Sequence, residues 1–141
     1  MADDLATATR SGPGRLLIAV YGIFAIAATS RSAVQIATRF GDAPVAYLLS
    51  ALAALVYVLA TATLAVGSRA SRRVAFLSCA VELAGVLAVG GVSVLVPSWF
   101  PDATVWSSFG VGYAFIPLVL PVLGLLWLRR TAPQPGSGTS R

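Results

Sequence analysis

Val45 to Val66 carries no charged residue, and no other feature narrows what this chain can fold into as much. A helix needs about 20 residues, each rising about 1.5 Å, to cross the roughly 30 Å hydrocarbon core of a bilayer. Pro44 precedes the run and suits a helix start, where a missing N–H is no loss. Val74 to Val96 is interrupted only by Glu82, and residues 111–128, VGYAFIPLVLPVLGLLWL, stop at Arg129 and Arg130. Leu16 to Ser30 is uninterrupted but short, and must borrow the following RSAVQI to reach membrane thickness.

These runs predict an all-α polytopic membrane protein, with four transmembrane helices in an antiparallel bundle. The helices are expected at about 16–36, 45–66, 74–96 and 111–128, within a domain of residues 15–130. Residues 1–14 and 131–141 (TAPQPGSGTSR) read as mobile cytoplasmic tails. Composition agrees: 57% of the chain is hydrophobic and 11% charged, against roughly 45–50% and 25% in an ordinary globular domain. So little charge cannot coat a water-facing surface, and so much apolar residue excludes intrinsic disorder.

Arginine placement predicts orientation. With the N-terminus inside, Arg10, Arg15, Arg69, Arg72, Arg73, Arg129, Arg130 and Arg141 fall on the cytoplasmic side. Only Arg31 and Arg39 fall outside or in the outer half, a strong positive-inside bias. Both termini are therefore expected in the cytoplasm, in a multi-pass protein of the cell membrane. The net charge of +5 follows the membrane flanks, so the bilayer is the expected partner and nucleic acid is not. A rival reading of the first run is a secretory signal peptide, with Ala25-Ile-Ala27 as cleavage site, though Asp3 and Asp4 weaken its basic start.

Chemistry-bearing residues are few. The chain has no His, Lys or Asn, and one cysteine, Cys79, within an apolar run. Neither a metal site nor a bound cofactor is expected, and no base is available to activate a Ser or Thr, so the chain reads as no enzyme. Glu82 is the sharpest signal, about 12 Å into its helix from the cytoplasmic side. There it must be neutral, paired or facing water. It is either a packing residue between helices or a site for protons or a ligand. Ser78, Gly85 and Ser93 extend its face as a small, polar stripe.

Arg31, Gln35 and Thr38 share one face of the first helix by their spacing. Arg31 is the candidate ion-pair partner of Glu82, or else snorkels to the outer headgroups. Pro117 and Pro121 are expected to kink the fourth helix. Trp99 and Trp106 suit an outer interfacial belt and Trp127 an inner one, with a lid over a cavity as the alternative for the connection they share. Asp102 is placed to cap a short helix near Ala103. Ala46, Ser50 and Ala54 offer a close-packing seam, internal or between subunits.

The stretches RSAVQIATRFGDAPVAYLLS, RRVAFLSCAVELAGVLAVG and FPDATVWSSFGVGYAFIPLVLPVLGLLWLRR resemble uncharacterised small four-helix actinobacterial integral membrane proteins. That resemblance covers about residues 31–130 and implies membrane topology and bacterial origin, without an activity. A looser likeness is to the small multidrug-resistance transporters, also four short helices with one membrane Glu. There the acid belongs to the first helix, whereas Glu82 lies in the third. Two functions are therefore expected in competition. One is a non-enzymatic interaction or accessory module, favoured if the partner is a larger membrane protein and not a second copy. The other is a small oligomeric ion- or proton-coupled transporter using Glu82.

Overall fold

The computed structural model describes residues 12–131, and all regular structure within them is helical. Helix α1 is Gly12–Arg39, α2 is Pro44–Val66, α3 is Arg69–Leu95 and α4 is Ile116–Arg130. Short 3-10 turns follow α1 at Phe40–Asp42 and α3 at Pro97–Trp99, and a 3-10 segment at Ser107–Tyr113 precedes α4. Residues 12–14 belong to α1 and not to a tail. The rest of both expected tails, with Arg10 and Arg141, lies outside the described residues.

α1 buries Gly14, Leu17, Tyr21, Ala25, Ser32 and Gln35, a seam stepping by three or four residues except where half-buried Ala28 bridges it. It packs chiefly on α2. Ala46, Ser50 and Ala54 of α2 are all buried within the chain, so the small-residue seam is internal. Two residues join α2 to α3. Gly67 takes a left-handed conformation, with φ of 75°, and its N–H reaches the Thr63 carbonyl at 3.3 Å. Only glycine adopts that geometry without steric penalty. Ser68 then caps α3, its hydroxyl accepting the Ser71 N–H at 3.0 Å.

The fourth segment departs from the expected helix over 111–128. α4 has 15 residues, about 22 Å of rise, and is too short to cross a bilayer alone. The preceding 3-10 segment meets it at 98°. Ser108, Phe109, Ala114 and Phe115 have φ between 50° and 60°, a region non-glycine residues rarely enter. Such backbone persists only where its surroundings over-determine it. Here Ser108 N–H donates to Ser93 Oγ at 2.8 Å, and Phe115 N–H to the Gly110 carbonyl at 3.0 Å. Pro117 falls in the first turn of α4, where it starts the helix instead of kinking it, while Pro121 lies inside.

Three helical stretches are long and apolar enough to cross a membrane, and the bent pair makes a fourth if taken as one. Large apolar side chains cover their outer faces: Leu16, Ile26 and Leu95 are 66%, 72% and 81% exposed. A surface so apolar suits lipid or protein contact rather than water.

Candidate functional site

The stripe on α3 organises the interior. Cys79, Glu82, Val86, Val89 and Gly90 are buried along one face of that helix, and three elements converge on it. From α1, the Tyr21 hydroxyl donates to Glu82 Oε1 at 2.8 Å. The Tyr21 hydroxyl oxygen also lies 3.3 Å from Cys79 Sγ. A tyrosine has one proton to give, so the thiol is the donor in that second contact. From α4, Gly124 closes the other side, and a Cβ there would stand 2.8 Å from Cys79 Sγ and 3.5 Å from the Tyr21 hydroxyl.

The third element is the irregular connection. Trp106, 1% exposed, lays its ring over Gly85, where an added Cβ would come within 2.7 Å of two of its ring atoms. Its indole N–H donates to the Tyr57 hydroxyl of α2 at 3.1 Å. Phe109 covers Gly90 in the same manner. The two glycines are holes cut in the α3 surface, and the aromatic residues of the connection fill them. Tyr57 in turn packs 6.2 Å from Tyr21 and 5.6 Å from Phe24, centroid to centroid, within the range of favourable aromatic pairs.

Glu82 is therefore wholly enclosed, at 0% exposure. It has one donor, Tyr21, while its Oε2 has no partner. No ion pair joins it to Arg31 among the described residues. Arg31 is half-buried and donates instead to the Tyr113 hydroxyl and, at 3.3 Å, to the Ala103 carbonyl. Gln35 is buried beside the same helix face with its Oε1 unpartnered. Thr38 leaves that stripe, since it is exposed and its hydroxyl bonds the Val34 carbonyl of its own helix.

The tryptophans separate. Trp99 is 63% exposed and Trp127 half-buried, positions open to an interface. Trp106 is not an interfacial anchor but a core residue, because Gly85 and Tyr57 give it a pocket and an acceptor. Asp102 begins no helix at Ala103. Its Oδ1 takes the Ala103 N–H at 2.9 Å, and its Oδ2 takes the Tyr47 hydroxyl at 3.0 Å beside Arg39 at 3.7 Å. It ties the connection to α1 and α2. At the opposite end, Arg72 of α3 donates to the Leu128 carbonyl, satisfying a free acceptor at the end of α4.

Tyr21, Tyr57 and Tyr113 carry the polar contacts, and none stood out in the sequence. A usable signal was there: Tyr21 precedes Gln35 by two heptads, so both lie on the same seam of α1. Among the described residues no cluster of His, Cys, Asp and Glu is placed to hold a metal ion. No protein family, curated protein or solved structure matches this chain.

Proposed function

We propose that the chain is a multi-pass protein of the cell membrane, an antiparallel four-span bundle with both ends cytoplasmic. It works as a non-enzymatic interaction or accessory module. The observation that carries this reading is the burial of Glu82 inside a single chain. Four helices are few to enclose a solute path, so a carrier built from them needs a second copy. Its exchangeable carboxyl would then stand at the seam or on water. Glu82 does neither, being roofed by Tyr21, Cys79 and the Trp106 connection. The buried polar groups around it hold helix to helix.

The lateral face for a partner is the groove between α1 and α4, which barely touch. It has a volume of about 460 Å³ and is lined by residues such as Leu16, Val20, Leu120 and Leu123, with Arg130 at one end. An apolar wall with one cation at its end suits an apolar helix of a larger membrane protein bearing an acidic residue at its cytoplasmic end. The free Oε2 of Glu82 is what favours the competing transporter reading.

Photo-cross-linking from Leu123 in native membranes, read by mass, tests the proposal. One defined larger membrane protein is expected, and Arg130→Glu should abolish its capture. Adducts with lipid alone, or with a second copy of this chain, would overturn the module reading.

A further inference from the structure

Arg31 stands at a second polar place, independent of Glu82 and of any partner in the α1–α4 groove. Its two acceptors, the Tyr113 hydroxyl and the Ala103 carbonyl, are both neutral. Asp102, beside Ala103, is taken up by Tyr47, Arg39 and the Ala103 N–H. Among the described residues, Arg31 thus has no carboxylate within ion-pair distance. A guanidinium presents five N–H donors, so most of its bonding capacity is unused.

Against it lies a cavity of about 30 Å³, lined by Arg31, Ser32, Ser50 and Tyr113 and walled by the apolar Phe24 and Val105. Tyr113 accepts from Arg31 through its oxygen, which leaves its own proton to donate. Ser32, 4% exposed, is among the lining residues, and its buried hydroxyl has no partner. Native proteins rarely leave such a group unsatisfied, and a ligand in the cavity would give it an acceptor. One water-sized particle needs about 10–15 Å³, so the space takes one small ion or two or three waters. The lining residues carry one positive charge and three hydroxyls, and no carboxylate is among them.

We propose that this cavity binds one small monovalent anion of halide size, held by the Arg31 guanidinium and the Ser32 and Tyr113 hydroxyls. Bonds from a cationic donor to an anion are shorter and stronger than neutral ones, and the surrounding apolar wall strengthens them further. A ligand that binds only the folded state raises its stability.

The test is thermal unfolding of the purified full chain in detergent, in sodium chloride, sodium bromide or sodium gluconate, each at about 0.15 M so that screening is equal. Chloride and bromide should raise the melting temperature by about 3 °C or more over gluconate. That difference should vanish in Arg31→Gln. Should Arg31→Gln fail to fold, Ser32→Ala decides: the halide concentration needed for half the effect should rise about tenfold, the loss of one hydrogen bond to a charge. Equal melting of the wild type in all three salts would mean water alone fills the cavity and would overturn the proposal. A halide effect that survives Arg31→Gln, or that Ser32→Ala leaves unshifted, would overturn it too.

Discussion

Glu82 on α3 and Arg31 on α1 are both ionisable residues set well inside long apolar helices, yet their surroundings were built differently. Around Glu82, glycines at 85 and 124 let neighbouring elements approach until no space remains. Its hydrogen-bond donor arrives from a regular helix. Around Arg31 the opposing wall is the irregular run from Ala103 to Tyr113, with its left-handed residues and the abrupt turn into α4. The same run fills α3 where Gly85 and Gly90 receive its rings, but the α1 face at Arg31 offers it no glycine, and a cavity is left. Contact over glycine seals a polar group in, whereas a face without one leaves a polar group beside a space that a small ligand can fill.

The contrast can be broken first at the plug. Trp106→Ala should lower stability by about 3–5 kcal/mol, since it empties a fully buried aromatic site. Trp99→Ala, at an exposed position, should change it by no more than about 0.5 kcal/mol. Unfolding by SDS titration in mixed micelles would show both, and equal losses would mean that the connection does not close over α3. Tyr21→Phe should come next, at about 1–3 kcal/mol, because it leaves the buried Glu82 Oε1 without its donor. Glu82→Gln keeps an acceptor for Tyr21 and should have a smaller effect.

A finer test asks whether the two places communicate. In a double-mutant cycle of Glu82→Gln and Arg31→Gln, the losses should add to within about 0.5 kcal/mol, because the residues share no partner. A coupling of several times that size would require the direct pair that the sequence suggested. The smallest expected effect is at Thr38, where replacement by Ala should stay within about 0.5 kcal/mol.

What the sequence made legible follows from how local each cause is. α2 and α3 were readable because their apolar runs are long and their ends carry local signals: Pro44 at one start, Gly67 and Ser68 at the turn. Glu82 was readable because an acid in an apolar run is conspicuous wherever the chain folds. The break before α4 was not. FGVGYAF is apolar whether it forms a helix or a bent 3-10 segment, and the decision rests on Gly85 and Gly90, far away in the chain. Trp106 was misread for the same reason, since an indole suits an interface or a core equally until its acceptor, Tyr57, is known. The tyrosines count as apolar in any periodicity, so the hydroxyls that bond Glu82 and Arg31 were hidden in the hydrophobic total.

Whether Glu82 is sealed or exchangeable separates the structural reading of this protein from a transport reading. Labelling by a hydrophobic carbodiimide, which attaches to carboxyl groups it can reach from lipid, measures this directly. The chain is reconstituted in nanodiscs and the Arg69–Leu95 region, whose only acid is Glu82, is followed by peptide mass. Enclosure by Tyr21, Cys79, Gly124 and Trp106 predicts an unmodified peptide in the folded protein and modification only after unfolding in SDS. Rapid, stoichiometric modification of Glu82 in the intact bilayer would contradict it.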